Sequence, residues 1–229
     1  MASRPQACPA PPPPPPTAEA FAEAFERLVA KVAASLSPER IAALHAAFEA
    51  RTGAFGPDDA WFESRSRAFW DDTMTRQGVA AEVLGETGDV WAGALTRSHR
   101  GLFQTRAPSQ GSSTSPSGVV LSDLWSGAEL LVQELDPASR DALAAPSGPF
   151  DGTVVAATEP ARLALLPGAI FHPEEAEPAI AEVLSAARAR ALGTGPVLDG
   201  LLRMELSLRS LSRVKPSYAY RPDALREAP

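Results

Sequence analysis

Residues Val119 to Val132 read VVLSDLWSGAELLV, two apolar runs joined by Ser-Asp-Leu-Trp-Ser-Gly. Apolar, strand-forming runs on either side of a short turn-forming connection predict a β-hairpin. The hairpin lies between segments of helical periodicity. It constrains the fold and says nothing about chemistry.

Upstream, Thr17 can cap a helix in which Phe21, Phe25, Leu28, Val32 and Leu36 recur at steps of three and four. Ser37-Pro38 starts a second, with Ile41, Leu44 and Phe48 as its stripe and Gly53 as its stop. A third is expected from Pro57 or Asp58 to about Arg76. Its Trp61, Phe62, Phe69 and Trp70 spread over more than one face, which predicts a helix sandwiched between the first two and the β part. A weaker helix or turn follows from Val79 to Leu95, interrupted by Gly85, Gly88 and Gly93.

After Gly101 the period shortens. Leu102 and Phe103 open a short strand, and the polar stretch from Ala107 to Gly118 is expected to be a disordered loop. Further strands are expected at Val119 to Leu121, Glu129 to Gln133, Thr153 to Ala157 and Arg162 to Leu166. Short strands with close connections suggest an antiparallel meander or a small, partly closed barrel. His172-Pro173-Glu174-Glu175 then opens a helix, and a last, leucine-rich helix runs from about Pro196 to Val214, stopped by Pro216.

The fold class read from this pattern is α+β, with N-terminal helices and two C-terminal helices packed on the small β part. Residues 1–16 form a Pro-rich, disordered tail, 17–214 a single domain and 215–229 a basic tail. Within the domain, 17–96 are helical, 101–171 β and 173–214 helical. Once the leading tail is set aside, roughly 200 residues remain, enough for a sizeable core. The tail carries Pro11 to Pro16, which lack amide donors and fix φ. As a solubilising leader it needs nothing else, whereas a recognition role would require a partner groove.

Cys8 is the only cysteine, so no intramolecular disulfide or thiolate metal site can form. No apolar run of signal-peptide or membrane-span length follows the start. Cytoplasmic placement is therefore expected, with no membrane contact. The net charge of -7 opposes binding to nucleic acid. Positive charge is concentrated once, between Arg203 and Arg226, where six cations face Glu205 and Asp223.

The blocks AFWDDTM, HRGLF, LSDLWSGAELLV, FDGTVV, LLPGAIFHPEEA and LLRMELSLRSLSRVKPSYAYR follow in that order over residues 60–222. Together they resemble a group of uncharacterised proteins of myxobacteria and related high-GC bacteria. The resemblance implies a shared architecture and transfers no activity, cofactor or site.

Candidate chemistry is sparse. His45, His99 and His172 are too scattered for a local metal pattern, and neither a nucleophile motif nor a phosphate-cradling glycine loop is present. The best catalytic constellation brings His99, His172 and Asp123 together at the mouth of the β part, as in a hydrolase or transferase. Asp71-Asp72 reads as the polar edge of a helix, since adjacent helical residues diverge by about 100°. Trp125 at the hairpin tip either folds back over the strands or inserts into a partner. Arg213, Lys215, Tyr218, Tyr220 and Arg221 have the composition of a weak nucleic-acid contact, or of a tail packed on an acidic body. The reading these residues support is a non-catalytic adaptor or regulatory module acting through an unidentified protein partner, with no metal or cofactor expected.

Overall fold

The computed structural model describes residues 18–85, 90–106, 118–134, 141, 143, 148–157, 162–211 and 213–225. The Pro-rich tail and nearly all of the expected polar loop, residues 107–117, lie outside them. Five helices come first: α1 (Ala18–Ser35), α2 (Pro38–Thr52), α3 (Phe62–Met74), α4 (Val79–Leu84) and α5 (Val90–Leu95). Ser37 caps α2 through its side chain, and Gly53 ends that helix at a positive φ of 101°. Six strands follow: β1 (Ser98–Arg106), β2 (Val119–Asp123), β3 (Glu129–Glu134), β4 (Phe150–Ala157), β5 (Arg162–Leu165) and β6 (Ile170–Phe171). After a short 3-10 turn the chain closes with α6 (Glu177–Ala189), α7 (Thr194–Ser210) and α8 (Pro216–Ala219).

The α+β class is as expected. Of the two arrangements expected for the strands, the barrel is the one formed. The strand order is β1-β2-β3-β5-β4, and β1 pairs with β4 to close the ring, with β6 added beside β4. Every pairing is antiparallel except β3 with β5. This connectivity is that of the Greek-key OB barrel, a likeness of architecture that carries no activity with it. The hairpin of β2 and β3 registers Ser122 opposite Glu129 and Val119 opposite Val132.

Alternation sorts the strand residues into two sets. Phe103, Leu121, Val132, Phe150, Val154 and Leu165 fill the barrel with Leu143. On the outer side, Val155 and Ala164 pack under α1, α4 and α5. Leu102, also outward, is covered by α6, α7 and the C-terminal segment. A fourth cluster joins Phe48, Phe69, Ile170 and Leu202 from α2, α3, β6 and α7 with Phe55 of the loop between α2 and α3. The helices therefore clasp the β1–β4–β5 side of the barrel. The opposite outer face, at Gln104, Val120, Ser122, Glu129, Leu131 and Gln133, contains no aromatic residue among these positions.

The C-terminal stretch is not a tail through its described part. Ala219, Tyr220 and Leu225 are buried against α6 and α7, because a short helix and a 3-10 turn fold residues 216–224 back onto the body.

Candidate functional site

The barrel meets the helices along a seam of ionised groups. Arg100 on β1 points outward beside Thr153 and reaches the diagonal Asp151 on β4, the same-face neighbour that antiparallel pairing provides. Its Nε and Nη2 donate to the two Asp151 oxygens at 3.0 and 2.8 Å, and its Nη1 to Asp199 on α7 at 3.0 Å. Arg51, in the last turn of α2, donates to Asp72 at 2.6 Å and to Asp199 at 3.1 Å. Arg76 donates to both oxygens of Asp199 at 2.8 and 2.7 Å. One network thus links α2, α3, β1, β4 and α7. The adjacent pair of Arg65 and Glu205 lies wholly inside, with Arg65 also donating to the Leu202 carbonyl at 2.7 Å and Arg209 reaching Glu205 from the rim.

Asp71 and Asp72 do not lie at a polar helix edge as the sequence suggested. Both are buried, because α3 is enclosed on several sides and Asp72 is met by Arg51 of α2 and Arg100 of β1 as well as by Arg76 one turn on. Asp71 Oδ1 is buried without a hydrogen-bond partner among the described residues. It borders a cavity of about 10 Å³, room for roughly one water, lined also by Asp72, Arg100, Asp151 and Thr153. Gly168 closes this cavity. A Cβ there would stand 2.8 Å from Asp71 Oδ2 and 3.1 Å from the Arg67 carbonyl.

The electrostatics follow from burial. Removal from water raises the Asp71 pKa well above normal against the pull of Arg100, with Asp151 and Asp72 adding to the rise. Burial also raises Asp151, again opposed by Arg100. At Asp199 burial is outweighed by Arg100, Arg76 and Arg51, which hold it ionised. For Arg100, burial disfavours the charge, but Asp151, Asp199 and Asp72 together keep it protonated. Three arginines thus face four aspartates, and of the four Asp71 is the one pushed well above the ordinary carboxylate range by burial.

The constellation expected at the barrel mouth assembles only in part. His99 Nε2 lies 3.0 Å from Asp123 Oδ2. Both residues point to the inner side of the barrel, and Gly101 between His99 and Phe103 leaves the space: a Cβ there would stand 3.2 Å from Asp123 Cγ. Asp123 is an organiser of the hairpin turn, accepting from the Trp125 amide at 2.9 Å and from the Ser126 hydroxyl. Ser126 and His99 bond the same carboxylate oxygen, so the imidazole does not take the serine proton directly, as it would in a Ser-His pair.

His172 does not join them. It is buried beside Pro149, whose carbonyl accepts its amide. His99 pairs with Val154, five residues and roughly 17 Å further along the β4 direction. His172 Nδ1 shares a 2.7 Å hydrogen bond with Tyr220. Burial, reinforced by Arg65 and Arg209, pushes its pKa down to about 3 and leaves the ring neutral. Burial likewise lifts the Tyr220 hydroxyl above its ordinary range.

Trp125 folds back. The Arg188 guanidinium stands 5.0 Å from its ring centroid and donates to the Leu124 carbonyl at 2.7 Å. The basic-aromatic set is divided. Arg213, Lys215 and Tyr218 are exposed, Arg221 pairs with Asp223 at 3.5 Å, and Tyr220 is enclosed beside His172.

A second concave surface lies on the helical side. Phe25, Glu26, Val29 and Ala30 of α1, Arg67 and Trp70 of α3, and Pro167 line a groove of about 360 Å³. Its floor is apolar. Among the described residues, neither the Trp70 indole N–H nor the Arg67 guanidinium has a hydrogen-bond or ion-pair partner. The crowd of aromatics in α3 signalled burial, yet which ring would stay open was not readable before the layers were assembled.

Among the described residues, no group of three or more His, Cys, Asp or Glu side chains is arranged to hold a metal ion. No helix among them is long and apolar enough to cross a membrane. Comparison with protein-family models, curated proteins and solved structures finds no match to this chain.

Proposed function

We propose that this chain is a non-catalytic cytoplasmic module that acts by protein contacts, as an adaptor or regulatory partner. One observation carries the reading: the groups best suited to chemistry are committed to one another, while idle donors stand at an apolar groove. His172 is held neutral by burial beside Arg65 and Arg209 and is bonded to Tyr220. Asp123 serves the hairpin turn, and the arginines and aspartates of the seam neutralise each other. Such mutual commitment supports a rigid scaffold. The α1/α3 groove, by contrast, presents apolar floor with unsatisfied donors at its rim, the composition of a recognition surface.

The test is paired affinity capture from the native cell with the wild-type chain and with Arg67→Glu, followed by direct binding of the purified partner. Support is one partner that binds the wild type and is lost with the variant. Turnover of a small molecule that disappears in Asp123→Asn or His99→Ala, with melting temperature unchanged, would replace this reading by an enzymatic one.

A further inference from the structure

We propose that the occupant of the α1/α3 groove is the chain's own Pro11–Pro16 segment, folded back along α1. The inference rests on reading that groove as a binding surface, and it supplies the ligand chemistry. A run of six prolines offers carbonyl acceptors and no amide donors. Its polyproline II form is preorganised, so docking orders little additional backbone, and aromatic-lined grooves are the usual receptors for such helices. The groove is complementary on both counts. Phe25, Val29, Ala30, Trp70 and Pro167 supply the apolar wall, and the Trp70 indole and Arg67 guanidinium supply donors without partners among the described residues.

Chain length agrees. The proline run ends one residue before Thr17, and α1 begins at Ala18. At 1.5 Å per residue, Phe25 lies roughly 10 Å and Ala30 roughly 18 Å along α1 from its start. At 3.1 Å per residue, six prolines span roughly 19 Å. A reversal at Thr17 therefore lays the tract over the wall formed by Phe25 to Ala30, with no slack to be taken up. Cys8 then falls beyond the far end of the groove, near the C-terminus of α1.

The single cysteine makes the test direct. A nitroxide attached to Cys8 of the full-length chain is expected to broaden amide resonances in the C-terminal half of α1. That broadening should disappear when Pro11–Pro16 is replaced by alternating Gly and Ser, and weaken in Arg67→Glu, whose side chain is exposed and whose fold is retained. Trp70 fluorescence should shift in parallel. Broadening that is absent, or unchanged by the Gly/Ser replacement, overturns the proposal. Mixing spin-labelled chains with isotope-labelled, cysteine-free chains separates the alternative: broadening in the mixture places a second copy's tract in the groove and overturns the intramolecular form. If the label reports no contact while the Arg67→Glu variant still loses a captured partner, the interaction reading stands and only the occupant proposed for the groove is wrong.

Discussion

The seam between barrel and helices and the groove between α1 and α3 use similar residue types to opposite ends. In the seam, Arg51, Arg76 and Arg100 each find a carboxylate, and Asp72, Asp151 and Asp199 are nearly removed from water. In the groove, Arg67 stands exposed beside Trp70 with no counter-ion among the described residues. The difference lies in enclosure. A buried charge is tolerated only when paired and hydrogen-bonded, so the ionised groups of this cluster hold one another in place. An open donor over apolar wall has no such demand on it and remains free for a ligand.

The comparison is broken most severely at Arg100. Replacing it by Ala leaves Asp151 and Asp199 without their central cation, and equilibrium denaturation is expected to show a loss of about 3–5 kcal/mol. A loss below about 1 kcal/mol would mean the seam is solvated and not structural. Next comes acid sensitivity through His172. Its folded pKa of about 3 lies below the unfolded 6.5, so the unfolded chain takes up the proton first. Stability from this group is complete above 6.5 and is lost as pH falls towards 3, at about 1.4 kcal/mol per pH unit. His172→Asn should flatten that decline, and parallel stability-pH curves for the two proteins would refute it.

Asp71 sharpens the contrast within the seam itself. Its folded pKa is raised well above 3.8, so the folded chain retains the proton longer and wild-type stability falls as pH rises through that window. Asp71→Asn mimics the protonated form. It should match or exceed the wild type in melting temperature at pH 7, with the advantage shrinking towards pH 4, whereas Asp72→Asn should destabilise at pH 7. The smallest change is Arg67→Glu, expected within about 0.5 kcal/mol of the wild type because nothing among the described residues depends on it. A large loss of stability there would move the groove into the same category as the seam.

Much of the architecture was legible from local pattern. The β2–β3 hairpin, the capped start of α2 and its stop at Gly53 all follow from periodicity and end signals spanning a few residues. Four strands were recognised near their true limits, while β1 extends back to Ser98 because His99 and Gly101 lack a strand signature of their own. The two-residue β6 was not anticipated, and neither was the parallel pairing of β3 with β5, since no local signal specifies a neighbour that far along the chain. At the candidate sites, His99 and Asp123 come within hydrogen-bond distance because β1 pairs with β2. His172 was grouped with them, yet it lies beyond β6 and turns to Tyr220. Asp71-Asp72 was misread because a carboxylate on a helix shows its burial only through the partners it meets.

By itself, the amino-acid order determined where chain direction changes, which segments are helix or strand, and that an acidic body carries one basic stretch. Those properties depend on neighbours within a turn or a strand pair, where backbone sterics and apolar periodicity act directly. The closed barrel, the neutralised seam and the open α1/α3 groove were decided by tertiary structure alone. Desolvation and charge pairing act between groups adjacent in space, and Arg51 meets Asp199 only after two helices far apart in the chain have packed against each other.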